Sequence, residues 1–276
     1  MRIPDEDPEY QPAAQARSTV APCLRCGLVW GSRVSAKVEG RTEGPLMFTS
    51  TLFLAAVCAA PPADGDEVLQ NLDKKLLAAK TLRIEFEVHQ ESGGLSNLLI
   101  SGVVRIADKN RFRTEIDYHN DGGRREVTIG DGTTAVRLAG PSPAELRHTD
   151  KRAVPPWYTA AILERLGRGG TFLSFELMWQ EAKDPKAAKP GAELNFLTTN
   201  VALGTPEKVK DVECWVVNYD LAVGGSLTAK TRVWVDPKTG LPVRRRVEAL
   251  GNVFTSSHSA FAIDEKIDDK LYELPK

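Results

Sequence analysis

The sequence predicts a mainly β fold of the α+β class, with about ten antiparallel strands and two or three helices. Three observations carry this reading. Long stretches alternate apolar and polar residues with period two, as in a strand with one dry and one wet face. Tracts of Gly, Asn, Asp and Pro separate these stretches at hairpin spacing. One helical period precedes the first strand.

The chain has 276 residues and a formal net charge of −1, so it is long enough for one large β domain or two small ones. That charge gives no global field favouring nucleic acid or an anionic membrane.

Residues 1–46 scatter Pro, Ala, Arg and Gly without periodicity, as expected of a disordered extension or a start codon assigned too early. Cys23 and Cys26 lack the second ligand pair a zinc site needs. Residues 47–60 read as a signal peptide, an apolar run too short to span a bilayer that ends in small residues around Val57-Cys58-Ala59. Ala55-Ala56-Val57-Cys58 also resembles a lipobox, with Val in place of the usual Gly or Ala before the cysteine. The folded domain is expected over residues 61–276.

Val68, Leu69, Leu72, Leu76 and Leu77 form an apolar helical stripe, with Asp64 or Asp66 as cap and lysines at the C-terminal end. In the strand at 81–88, Leu82, Ile84, Phe86 and Val88 oppose Arg83, Glu85, Glu87 and His89. In the next, at 98–107, Leu98, Ile100, Gly102, Val104 and Ile106 share a face; in that at 111–118, Phe112, Thr114, Ile116 and Tyr118 do. Asp108-Lys109-Asn110 turns between these two, and strands at 126–130 and 133–138 follow around Asp131-Gly132.

Pro141, Pro143, Pro155 and Pro156 exclude central strands from residues 139–190. Two short apolar helices are predicted there, at 157–166 and 172–179, separated by the glycine tract at 167–170. Such an insertion either plugs a barrel mouth or packs on a sheet. Strands resume at 193–202, 212–221, 227–235, 241–249 and 253–263, so the sheet either closes a barrel or curls over helices.

No catalytic set emerges. The four histidines are not at metal-ligand spacing. Ser256-Ser257-His258-Ser259 lies in an alternating strand without a glycine-flanked elbow, and is read as the polar face of an exposed strand. Asp264, Glu265, Asp268 and Asp269 lack calcium-loop spacing and read as a solvated turn. Arg244 and Arg246 share a strand face that suits an acidic partner or simply water, and Cys214 reads as a buried free thiol.

Four motifs in order carry a resemblance: Gly102-Val103-Val104-Arg105-Ile106 through Arg111-Phe112-Arg113; Gly130-Asp131-Gly132-Thr133-Thr134; Val233-Trp234-Val235-Asp236-Pro237-Lys238-Thr239-Gly240-Leu241-Pro242; and the closing Leu271-Tyr272-Glu273-Leu274-Pro275. Through them the chain resembles the LolA-like periplasmic carriers, related in fold to the regulator RseB and to mycobacterial glycolipid-carrying lipoproteins. The resemblance implies a single curved, unclosed antiparallel β-barrel with helices covering a concave hydrophobic face. It also implies an exported, non-catalytic, monomeric carrier of acyl chains from a lipoprotein or lipid, with no metal, cofactor or nucleic acid.

The expected ligand cavity comprises Leu82, Ile84, Phe86, Ile100, Val104, Phe112 and Ile116, with Trp157, Ile162 and Phe172 from the helical insertion. Where the family's lipoprotein carrier has a lid-fastening Arg-Pro, this chain has Asp108-Lys109. The resemblance therefore extends to lipid binding rather than to that carrier's hand-off cycle. The alternative is an RseB-like envelope module that recognises a membrane-protein partner.

Overall fold

The computed structural model describes residue 62 and residues 64–120, 122–170, 179, 186, 195–225 and 227–275. The expected extension at 1–46, the expected signal peptide at 47–60 and Phe172 with its expected helix, Trp179 excepted, lie outside these residues.

Helix α1 (Gly65–Ala78) starts where Asp64 Oδ1 accepts the Glu67 N–H at 2.8 Å, a side-chain cap on a free backbone donor. Its Val68, Leu69, Leu72 and Leu76 are buried, whereas Leu77 is 53% exposed, so the apolar stripe is narrower than expected.

The strands are β1 (Thr81–Ser92), β2 (Leu95–Ala107), β3 (Arg111–Tyr118), β4 (Arg125–Asp131), β5 (Thr134–Gly140) and β6 (Arg147–Ala153), then β7 (Phe196–Val209), β8 (Val212–Val223), β9 (Leu227–Val235), β10 (Pro242–Ala249) and β11 (Asn252–Ile263). Helix α2 (Tyr158–Gly169) lies between β6 and β7 in the chain. Among the described residues, eleven strands form one antiparallel sheet in the order β6-β5-β4-β3-β2-β1-β11-β10-β9-β8-β7. Strands β6 and β7 are its two edges, so the sheet is open rather than a closed barrel.

Two strands differ from expectation for one physical reason. Strand β6, Arg-His-Thr-Asp-Lys-Arg-Ala, has no apolar face to read, and β7 runs on through Pro206. Both are edge strands, where one row of backbone groups needs no ladder partner and charge or proline is tolerated.

Both helices lie on one face of the sheet. The larger core joins Leu72 and Leu76 of α1 and Ala161, Ile162 and Leu166 of α2 to β1, β2 and β3. A second cluster joins Val68 and Leu69 to Val217, Leu221 and Val233. Gly102 faces the same side because a Cβ there would lie 3.3 Å from the Phe86 ring and 2.5 Å from the Glu115 carbonyl. On the opposite face, the C-terminal 3-10 turn Asp269–Tyr272 packs against β3 and β4 and buries Tyr272.

The tract at 167–170 does not end α2 early. A Cβ on Gly167 would meet Asp73 Oδ1 at 2.4 Å, and one on Gly169 would meet the Phe196 ring at 1.8 Å. These glycines let the last turn approach α1 and β7, and Gly170, at φ +82°, closes the helix.

Candidate functional site

The candidate site is the face of the sheet beneath α2. Of the ten expected cavity residues, Leu82, Ile84, Phe86, Ile100, Val104, Phe112, Ile116 and Ile162 belong to one buried cluster, each 5% exposed or less. Trp157 packs against that cluster, half-buried. In this conformation α2 fills the space over the strands: the rings of Phe112 and Tyr158 have centroids 4.8 Å apart. Open clefts lie instead at the flanks of the helices. One of about 450 Å³ includes Leu77, Phe196 and Leu197; one of about 320 Å³ includes Val68, Trp215 and Val235. None of the ten expected residues lines either cleft.

Helix α2 is tied down at both ends by side chains from other elements. At its start, Trp157 offers no side-chain cap. Asn110, in the turn between β2 and β3, takes that role: its Oδ1 accepts the Thr159 N–H at 2.9 Å and the Thr159 hydroxyl at 3.0 Å. Its Nδ2 donates to the Pro155 carbonyl at 2.9 Å. Asn110 has φ +62°, a left-handed conformation that Asn tolerates better than most residues.

At the other end, the last four carbonyls of an α-helix have no partner within the helix. Arg245 of β10 donates to the carbonyls of Leu166, at 3.3 Å, and Gly167. The Tyr219 hydroxyl of β8 donates to the Arg168 carbonyl at 2.6 Å. The Arg168 guanidinium holds Asp73 Oδ2 at 2.9 and 3.0 Å, tying α2 to α1.

These groups form a polar node inside the apolar face. Arg245 is 2% exposed, and His258 is 8% exposed with Nδ1 at 3.1 Å from the Pro242 carbonyl. Burial, with the Arg245 charge adding to it, pushes His258 down to about 3, so the ring is neutral. With Nδ1–H donating to that carbonyl, Nε2 is an acceptor, and it has no hydrogen-bond partner among the described residues. Asp73 Oδ1, Thr231 Oγ1 and Arg245 Nε are likewise unsatisfied. Burial raises the Asp73 carboxyl above its ordinary value, although Arg168 and Arg245 pull the other way.

The placement of His258 corrects the reading of Ser256–Ser259 as an exposed polar face. A bulge opposite Glu85 and Phe86 shifts the alternation in β11, and His258 turns inward against Phe261, with ring centroids 5.3 Å apart. Sequence reasoning also passed over Arg245, although the parity that places Arg244 and Arg246 outward places it inward. The acidic cluster near the C-terminus is structural: Asp264 accepts the Lys80 N–H, Glu265 pairs with Arg83 and Asp269 with Arg111. Cys214 is buried, as expected.

On the outer face, Glu115 gathers Arg105, Arg113 and Arg125 at 3.0, 2.9 and 2.8 Å. Among the described residues no cluster of three or more His, Cys, Asp or Glu could hold a metal ion, and no helix is long and apolar enough to cross a membrane.

No family model matches the sequence, and no curated relative is found. Among solved structures, the chain is similar to a LolA superfamily protein from Nitrosomonas europaea, at 12% identity, 77% of this chain and 99% of that one, with a TM-score of 0.32. It is similar to LprF from Mycobacterium bovis at 11% identity, over 74% and 95% of the two chains, with a TM-score of 0.42. It is also similar to the lipoprotein LppX of Mycobacterium tuberculosis at 8% identity, over 73% and 97%, with a TM-score of 0.28.

Proposed function

We propose that the protein is an exported, non-catalytic carrier in the periplasm or cell envelope. It holds acyl chains of a lipid or lipoprotein against the face now covered by α2. The observation that carries this reading is how α2 is attached. A twelve-residue helix covers the largest apolar surface of the sheet, yet polar groups of Asn110, Arg245, Tyr219 and Asp73 hold its ends. The neutral hydrogen bonds among these contribute about 1 kcal/mol each, those made by the guanidinium groups about 1.5–3 kcal/mol, and all can be exchanged for others without unfolding the sheet.

The apolar terms favour exchange. Uncovering Tyr158, Ile162 and Leu166 costs on the order of 5–9 kcal/mol, at about 1.5–3 kcal/mol per large apolar side chain. A chain of about fourteen methylenes returns roughly 11 kcal/mol at about 0.8 kcal/mol each. Leu82, Ile84, Phe86, Ile100, Val104, Phe112 and Ile116 form the wall that receives it, and Trp157 and Ile162 belong to the cover.

Native mass spectrometry of freshly purified protein, followed by titration with a fluorescent fatty acid, tests the proposal. Co-purifying lipid or saturable uptake is expected. A protein that is reproducibly empty and also ignores the fatty acid refutes it. The intact mass of the mature protein reports in the same experiment whether residues 47–60 are removed and whether Cys58 is lipidated.

A further inference from the structure

The polar node beneath the last turn of α2 is costly in a face otherwise made of Leu, Ile, Val and Phe, because a buried charge needs a partner. Arg245 has an unusual one. Among the described residues its hydrogen bonds go to two neutral carbonyls, while Asp73 makes its hydrogen bonds to Arg168. Beyond the nearby charge of Asp73, what offsets the guanidinium is the negative end of the helix dipole, equivalent to about half an elementary charge. That compensation leaves with the helix.

We propose that Arg245 is the head-group site of the carried molecule: when α2 moves aside, Arg245 and Tyr219 exchange its terminal carbonyls for the oxygens of an anionic head, a carboxylate or phosphate on the acyl chain. This rests on the carrier reading above. Helix carbonyls and anion oxygens are interchangeable acceptors for the same donors, and the anion restores the charge balance more fully than the dipole does.

Position supports the assignment. One row across the sheet runs Val88, Ser256, Arg245, Val233, Val217, each paired with the next. Val88 belongs to the larger apolar cluster, and Val233 and Val217 to the second. Arg245 therefore stands at the junction of two apolar regions, where a head with chains on either side would sit. The neighbours suit such a head. The Thr231 hydroxyl is buried on the same face without a partner, and neutral His258 presents Nε2 as an acceptor for a head-group hydroxyl.

The test compares four probes with one sixteen-carbon chain: palmitate, hexadecyl phosphate, hexadecanol and hexadecyltrimethylammonium. Each displaces a fluorescent fatty acid from the delipidated full chain. Palmitate or hexadecyl phosphate is expected to bind about tenfold to a hundredfold tighter than hexadecanol, the range of a charge-assisted hydrogen bond. Which of the two leads identifies the head as carboxylate or phosphate. In Arg245→Met the preference collapses towards unity, with hexadecanol affinity retained. Should that variant not fold, Tyr219→Phe is expected to cut the preference several-fold. Equal binding of acid and alcohol by the unaltered chain, or an undiminished preference in folded Arg245→Met, overturns the head-group site and leaves the carrier standing. If no probe binds, both fall together.

Discussion

Asn110→Gly tests whether α2 is a separately releasable cover. Glycine keeps the left-handed backbone at φ +62° without strain and deletes only the side chain. Losing the acceptor for the Thr159 N–H removes an N-cap worth about 1 kcal/mol. Losing the contacts to the Thr159 hydroxyl and the Pro155 carbonyl removes about 1 kcal/mol more. Opening of α2 should become easier by about 2 kcal/mol, or roughly thirtyfold at about 1.4 kcal/mol per decade. Amide hydrogen exchange reads this directly: residues 161–166 should exchange about thirtyfold faster, while the amides of β2 and β3 keep their protection. If opening of α2 limits entry, a fluorescent fatty acid should also bind faster. Unchanged exchange in α2, or a loss of protection spread evenly over the sheet, would refute the reasoning.

Three further outcomes follow from the same geometry. Phe112→Ala should cost about 3–5 kcal/mol in urea unfolding, because the ring packs against Tyr158 and fills the space Gly130 leaves open. Gly169→Ala should cost about 1–3 kcal/mol and loosen the end of α2, since its methyl group would collide with Phe196; thermal melting and exchange at residues 165–169 check this. Acid should act through His258. Its folded value, about 3, lies below the ordinary 6.5, so its contribution is complete above pH 6.5 and declines as pH falls towards 3, by up to about 1.4 kcal/mol per unit. Urea midpoints between pH 7 and 5 should show that slope, and His258→Gln should flatten it. A slope that survives the substitution assigns the acid sensitivity to other groups.

What could be read from the sequence depended on whether a residue's neighbours repeat. In β1 and β3 a strict alternation over eight residues exposed the buried faces, and Leu82, Ile84, Phe86, Phe112 and Ile116 lie where that alternation puts them. The central strands follow from such runs, whereas the open architecture was implied only by the resemblance carried by the four motifs. Strand β6 stayed hidden because it has no apolar face. The C-terminal end of α2 is hidden because a glycine tract signals a break locally, whereas Gly167 and Gly169 answer to Asp73 and Phe196, distant in sequence. The polar node was hardest to find. Arg245 and His258 look like ordinary strand polarity until the register of β9, β10 and β11 is known, and the bulge near Phe86 hides His258 even from a parity count. Asn110 looked like a turn former; that it also caps α2 depends on a segment about fifty residues away.

The strand order also says how the chain must assemble. From β1 to β6, and again from β7 to β11, every neighbour in the sheet is the next strand in the chain, so each half can zip up through local hairpins. Only the β1–β11 pairing joins residues from opposite ends of the folded region, as Leu82 does with Ile263. That seam closes the longest loop of the sheet and should weigh heavily on its folding speed. The seam also contains the bulge that turns His258 inward. The polar node beneath α2 can therefore be complete only after the two halves have met.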